Sequence, residues 1–199
     1  TWQYPLHFID FETSSVALPF SSGSHPYEGI AFQYSHHIMD ESGRVGHISQ
    51  FLEAEPGVNP NLAFIRSLRK DLSTDRGTIF RYHNHENSYL RTLRDWLYGL
   101  SGEQAPDKAG LLAFIDSITR YDAGRQRISG VRDMVDMYEL VLRYYYSPHA
   151  GGSNSLKKIL PAAIHDSDFL ATRYGRPIYG KDLEVPSLNF ERHTWILPE

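Results

Sequence analysis

The strongest constraint on the fold is the order in which short apolar runs and amphipathic stretches follow one another. Residues 5–11 form a short apolar run, and residues 29–40 and 44–52 flank the turn sequence Asp-Glu-Ser-Gly, which is typical of a β-hairpin. Residues 61–72 then repeat apolar side chains at the helical period, and residues 77–83 form another apolar run. This order predicts an α/β fold whose mixed β-sheet combines an antiparallel hairpin with parallel strands and is flanked by helices.

The second half of the chain supplies further helices. Apolar side chains recur at the helical period along residues 86–100 and 107–119. Residues 132–146 predict either a short strand or a direct entry into a helix, and residues 151–164 predict a Gly/Ser loop that runs into a helix. The remainder reads as irregular. No internal repeat is visible, so we expect residues 1–199 to form one domain.

The composition allows a packed core but gives no sign of a basic surface. Of the 199 residues 41% are hydrophobic and 22% are charged, and the net charge is −4. The chain contains no cysteine, which excludes disulfides and thiolate zinc sites and is compatible with the reducing cytoplasm where we expect the protein. No stretch approaches the ~18 consecutive apolar residues of a membrane span, so we expect no membrane partner.

Two acids, Asp10 and Glu12, interrupt the first apolar run. Residues two apart in a strand point to the same face, so these acids point together while Ile9 and Phe11 fill the opposite, core face. Two neighbouring carboxylates repel and raise each other's pKa, and a hard cation such as Mg²⁺ or Mn²⁺ removes that conflict. The alternative is that one acid faces solvent or caps a loop while the other pairs with a lysine or arginine.

A third acid, Glu86, follows the apolar run at residues 77–83 and opens an amphipathic helix. A carboxylate at this strand end could complete a metal site with Asp10 across the sheet. The alternative is a first-turn acid that the helix dipole favours. His83 and His85 lie two residues apart with no second pair nearby, and the ten histidines of the chain are scattered, so the sequence does not favour a zinc site.

Five segments in order resemble an uncharacterised bacterial domain family of the DEDD superfamily of 3′–5′ exonucleases, which has an RNase H-like fold. The segments are PLHFIDFET, HPYEGIAFQYS, RYHNHENSYL, VDMYELVLRYYYSP and GSNSLKKILPA. The resemblance runs from residue 5 to about residue 196. It implies a nuclease domain that hydrolyses phosphodiester bonds at the ends of single-stranded DNA or RNA, with Mg²⁺ or Mn²⁺ in a two-metal mechanism.

The resemblance assigns roles residue by residue. Asp10 and Glu12 match the superfamily's first motif, and Glu86 stands where the second motif usually has Asp. These three acids are the implied catalytic residues and metal ligands. Asp136 resembles a position that is more often structural than a ligand. The last motif, which carries the fourth acid, is expected beyond residue 199.

Two acids later in the chain, Asp166 and Asp168, do not match that last motif because they follow a helix too early. Four polar residues are candidate substrate contacts: Thr13, Asn84, Ser155 and Lys157. Ser155 and Lys157 lie where a helix N-terminus would meet a phosphate, although an N-cap with solvated lysines explains the same pattern.

Two functions from different classes therefore remain open. The acids Asp10, Glu12 and Glu86 favour a metal-dependent exonuclease. The acidic isoelectric point and the missing fourth acid favour a non-catalytic nucleic-acid-binding or assembly module of a larger nuclease or defence protein, whose further domains would set its specificity.

Overall fold

The computed structural model describes residues 2–196, and the helices and strands expected from the sequence occur in the expected order, with further elements between and after them. In chain order they are β1 (Leu6–Ser14), β2 (Ile30–Met39), β3 (Val45–Leu52), α1 (Asn61–Leu72), β4 (Ile79–Arg81), α2 (His85–Gly99), α3 (Lys108–Ile118), β5 (Arg120–Ala123), β6 (Gln126–Ser129), β7 (Val135–Asp136), α4 (Met137–Tyr144), a 3₁₀ turn (Pro148–Ala150), α5 (Leu156–His165) and α6 (Asp168–Tyr174).

The main sheet has five strands in the order β3-β2-β1-β4-β7. Strands β1, β2 and β3 pair antiparallel, whereas β4 pairs parallel with both β1 and β7. The predicted α/β fold with a mixed, helix-flanked sheet is thereby confirmed. The parallel strands β1, β4 and β7 end at the same edge of the sheet, and polar residues at that edge come from distant parts of the sequence.

The main core lies between one face of the sheet and the first three helices. Ile9 and Phe11 of β1 are buried on this face, as the alternation predicts. Phe11 packs edge-on against Phe64 of α1, with ring centroids 4.9 Å apart. Helices α2 and α3 add fully buried side chains at helical spacing: Leu90, Leu93, Leu97, Leu111 and Ile115.

Two elements differ from the sequence-based expectation. The hairpin β5–β6 lies between α3 and β7, where the sequence indicated no strands, and most of its residues are exposed. Because no face of this hairpin is buried, it lacks the apolar alternation that marks a strand. Helix α6 falls in the part of the chain that reads as irregular. Among residues 2–196, no helix combines the length and the apolar character that crossing a membrane requires.

Candidate functional site

Strand β1 carries Asp10 and Glu12 past the point where its parallel neighbour ends. The pairing between β1 and β4 covers only His7 and Phe8, whereas the pairing between β1 and β2 continues to Ser14. Asp10 and Glu12 are both exposed on the face opposite the buried side chains of the strand. The predicted shared face of the two acids is confirmed, and one side of it is open to the start of α2.

The turn between β4 and α2 places the third acid. His83 has a left-handed backbone (φ 67°), which costs a non-glycine residue about 1–2 kcal/mol unless its surroundings fix it. The backbone N–H of His83 donates to Asp136 Oδ1 at 2.8 Å, and the guanidinium of Arg81 donates to the His83 carbonyl. These bonds hold the turn, so that α2 begins at His85 with Glu86 in its first turn.

Glu86 is a buried acid with an incomplete set of partners. The residue is 3% exposed, and its Oε2 has no hydrogen-bond partner among residues 2–196. Burial raises the pKa of Glu86 to about 7, with smaller contributions in the same direction from the charges of Asp10 and Asp136. Its own backbone N–H and the charge of Arg81 act in the opposite direction. A carboxylate with a free, buried oxygen is a fitting ligand for a cation.

Asp10 shows the same conflict in a weaker form. Asp10 is exposed as a residue, but its carboxyl group is partly desolvated by its surroundings, which raises its pKa, and the charge of Glu12 adds to the effect. The charge of His85 and a backbone hydrogen bond from Phe11 lower it. The charge of Glu12 acts on Asp10 and the charge of Asp10 acts on Glu86, so the three predicted acids share one electrostatic neighbourhood.

The alternative of a lysine or arginine partner finds no support here. None of the ion pairs within residues 2–196 involves Asp10, Glu12 or Glu86. The three acids nevertheless do not form a compact ligand set, because in the described part of the chain their oxygens do not all lie within 4.8 Å of one another. A bound ion would require the side chains to rotate toward each other.

His85 is a site neighbour that the sequence did not indicate. Its Nε2 is 3.1 Å from the Thr13 hydroxyl, which brings one of the predicted substrate contacts next to the acids. Its charge also acts on Asp10. His85 immediately precedes Glu86, and this adjacency in the sequence could have indicated that His85 lies near the site.

Within residues 2–196, the side chains of the other predicted substrate contacts, Asn84, Ser155 and Lys157, make no hydrogen bond to the acids or to their neighbours Thr13 and His85. Asn84 precedes α2, and its side-chain amide donates to the Ser88 hydroxyl at 2.8 Å. Ser155 occupies the N-cap position of α5, but its side chain makes no capping hydrogen bond, and Lys157 is exposed. The loop before α5 is tied to the end of β4 because the Tyr82 hydroxyl donates to the Asn154 carbonyl at 2.5 Å.

Asp136 has a structural environment, in line with the role that the resemblance implies. Arg81, which is fully buried, pairs with its Oδ2 at 2.8 Å. Its Oδ1 accepts from the backbone N–H of His83 at 2.8 Å and from that of Tyr138 at 3.0 Å, so it caps α4. Asp136 therefore has few lone pairs left for a metal ion.

A cleft of about 500 Å³ lies on the side of α2 that faces the β5–β6 hairpin. Asn87 fixes the hairpin to α2 through two hydrogen bonds with the backbone of Arg120, at 2.9 and 3.0 Å. The walls hold three basic and three acidic side chains: Arg91, Arg120, Arg127, Asp122, Asp136 and Glu139. Asp10, Glu12 and Glu86 are not among the residues that line it.

The comparisons with known proteins give a family but no activity. A family described as a domain of unknown function, DUF2779, matches residues 7–155. The chain belongs to this family. The matched range contains Asp10, Glu12, Glu86 and Asp136. A search of curated proteins found no match.

Proposed function

We propose that this chain is a metal-dependent 3′–5′ exonuclease of the DEDD type that acts on single-stranded DNA or RNA. The proposal rests on one observation: within residues 2–196, Asp10, Glu12 and Glu86 form no ion pair with a lysine or arginine, and the buried Oε2 of Glu86, whose pKa the charge of Asp10 helps to raise, has no hydrogen-bond partner. The mixed sheet, in which β1 and β4 carry the acids toward one edge, agrees with the RNase H-like fold implied by the resemblance.

Mg²⁺ or Mn²⁺ fits the residues present. Both ions prefer carboxylate oxygen and water, and the donor set here consists of three carboxylates without imidazole or thiolate. A pKa of about 7 for Glu86 means that, without a cation, its carboxyl group binds a proton near neutral pH. A divalent cation would supply the missing positive charge and remove the repulsion between Glu86 and Asp10.

The residues of the site divide the proposed work. When bound, the ion supplies an activated water and stabilises the charge that develops on phosphorus and on the leaving oxygen. Asp10, whose charge acts on Glu86, would hold the ion together with Glu12 and Glu86. Thr13 and His85, which contact each other beside the acids, offer polar groups to the 3′ end of the strand.

We also infer a cytoplasmic location from the absence of cysteine.

A non-catalytic nucleic-acid-binding or assembly module is the second candidate, and two observations favour it. The oxygens of the three acids do not lie within 4.8 Å of one another in the described part of the chain. The nearest further acid, Asp136, is already paired with Arg81. Such a module would keep the fold and the family membership without hydrolysis.

The test is digestion of 5′-labelled single-stranded DNA and RNA by the full-length protein in Mn²⁺, with the wild type and Asp10→Asn purified in parallel. We expect a ladder that shortens from the 3′ end for the wild type and intact substrate for Asp10→Asn. Glu41→Gln is the matched control, because Glu41 is exposed in the β2–β3 turn, and this variant should behave as the wild type. Equal digestion by Asp10→Asn would reject the proposed site, and an inactive wild type that still binds these strands would favour the module.

A further inference from the structure

A second cluster of ligand side chains lies outside the acid cluster, where the 3₁₀ turn meets the end of α5. His149 lies in that turn, His165 is the last residue of α5, and Asp166 follows it. One ligand atom from each residue lies within 4.8 Å of the other two, which no other group of three such residues achieves in residues 2–196. The Oδ1 atom of Asp166 is 3.9 Å from His149 Nε2 and 3.7 Å from His165 Nδ1.

The backbone around this cluster is fixed independently of any ion. Ser147 caps the 3₁₀ turn by accepting from the backbone N–H of His149 at 3.1 Å, and Gly151 ends the turn with a left-handed backbone (φ 60°). A small apolar cluster joins the turn to α4 and α5 through Ala150, Ile159, Ala162, Val141 and Tyr145. The two histidines therefore approach each other because the fold places them together.

The carboxylate is oriented by a hydrogen bond outside the cluster. The Tyr145 hydroxyl donates to Asp166 Oδ2 at 3.0 Å. This bond engages Oδ2 and leaves Oδ1 facing the two imidazoles. Partners of this kind typically hold metal ligands in position.

The imidazoles provide the other two donors. The ring centroids of His149 and His165 are 3.7 Å apart, with the planes inclined by 31°. A neutral imidazole has one ring nitrogen with a free lone pair, whereas two charged rings in contact would repel each other. Both side chains are about half exposed or more, at 48% and 63%, so they can rotate to complete a coordination sphere that water can reach.

We propose that His149, His165 and Asp166 form a binding site for a zinc-class divalent ion. Two imidazole nitrogens and one carboxylate oxygen, with an open position for water, suit Zn²⁺ and Co²⁺. The three carboxylates of the acid cluster suit Mg²⁺ and Mn²⁺ instead. The proposal does not depend on the exonuclease proposal, because the two sites share no residue. Binding would link the 3₁₀ turn to the end of α5.

The test uses the tag-free chain, titrated with Zn²⁺ by calorimetry in millimolar Mg²⁺. We expect one Zn²⁺ per chain, a loss of affinity of at least about tenfold in His149→Ala and in His165→Ala, and the visible absorption of a low-coordinate site when Co²⁺ replaces Zn²⁺. His25→Ala is the matched control, since His25 is an exposed histidine elsewhere. Asp10→Asn should also keep its affinity.

Three results would overturn the assignment. They are an absence of Zn²⁺ binding at micromolar concentration, unchanged affinity in both histidine variants, and loss of binding in Asp10→Asn rather than in the histidine variants. If a histidine variant fails to fold, wild-type NMR decides: added Co²⁺ must broaden the imidazole signals of His149 and His165 before those of the other histidines. An absence of binding would mean that the cluster is only a His–Asp contact.

Discussion

Glu86 and Asp136 are both buried acids near the ends of neighbouring parallel strands, but only one of them has its bonds complete. Glu86 is 3% exposed and Asp136 is 8% exposed. Asp136 pairs with Arg81 at 2.8 Å and accepts two backbone N–H groups. Glu86 leaves Oε2 without a partner, and its pKa rises to about 7. Burial alone therefore does not separate a structural acid from a candidate ligand, whereas a count of partners does.

Arg81 explains why two acids so close together differ. Its Nη1 serves both Asp136 and the carbonyl of His83, while its Nε and Nη2 have no partner. Its charge lowers the pKa of Glu86, yet the two side chains form no ion pair within 4.0 Å. The guanidinium thus stabilises the turn before α2 and leaves the Glu86 carboxylate available.

The largest effect on stability should come from Asp136. Asp136→Asn leaves the buried guanidinium of Arg81 without a counter-charge, so we expect a loss of about 3–5 kcal/mol in the free energy of unfolding. Urea denaturation in EDTA measures it. Glu139→Gln is the matched control in the helix that Asp136 caps, because the pair of Glu139 with Arg143 is exposed and should contribute only about 0.5 kcal/mol. If Asp136→Asn and Glu139→Gln lost equal stability, the buried pair of Asp136 with Arg81 would not be stabilising, and Asp136 would no longer differ from Glu86 in this respect.

In the absence of metal, Glu86→Gln should raise the free energy of unfolding, whereas Asp136→Asn should lower it. The pKa of Glu86 rises from 4.5 in the unfolded chain to about 7 in the folded chain, so the folded state binds the proton more tightly and loses stability as pH increases from 4.5 to 7. We expect Glu86→Gln to gain about 3 kcal/mol at pH 8 and less than about 0.5 kcal/mol at pH 4.5.

Paired urea denaturation curves at both pH values isolate this contribution, since other titrating groups cancel between the wild type and the variant. His36 is one such group, because burial lowers its pKa to about 4. Its effect on stability is opposite to that of Glu86: the folded state loses stability as pH falls from 6.5 toward 4. A loss of stability at pH 8 in Glu86→Gln would mean that the carboxylate has a partner in solution.

The sequence predicts the part of the fold that local patterns encode. Ile9 and Phe11 alternate with Asp10 and Glu12, and this alternation defines both the strand and the shared face of the acids. The hairpin β5–β6 could not be predicted this way, because exposure of most of its residues leaves no alternation; Gly124, with φ 66°, was its main local mark.

The sequence predicts less of the site than of the fold. The position of Glu86 at the start of a helix was predictable, but its missing partner depends on where Arg81 donates. The contact between Thr13 and His85 joins residues 72 positions apart, so no local pattern reports it. Likewise, His149 meets His165 only because α5 folds back on the 3₁₀ turn.

Mn²⁺ should stabilise the wild type by a smaller amount, about 1 kcal/mol at millimolar concentration, because three carboxylates bind an ion loosely. Asp10→Asn should abolish this gain and slightly raise the metal-free stability, since it relieves repulsion among the acids. Thermal melts with and without Mn²⁺ measure both effects, and Glu41→Gln should keep the full shift. A Mn²⁺-induced rise in Tm that persists in Asp10→Asn would place the ion elsewhere.

The smallest effect should come from Glu12, and it follows from the same distinction between buried and solvated acids. An ion stabilises the folded chain most where it relieves a carboxylate that water cannot reach, and Glu86 is such a group. Glu12 is exposed, so water already solvates its charge when no ion is bound. Glu12→Gln should therefore reduce the Mn²⁺-induced stabilisation by a few tenths of a kcal/mol, whereas Glu86→Gln should abolish it. Mn²⁺ titrations of the two variants, followed by melting temperature at pH 8, compare them directly. If Glu12→Gln abolished the shift as completely as Glu86→Gln, ligand number rather than burial would govern metal binding at this site.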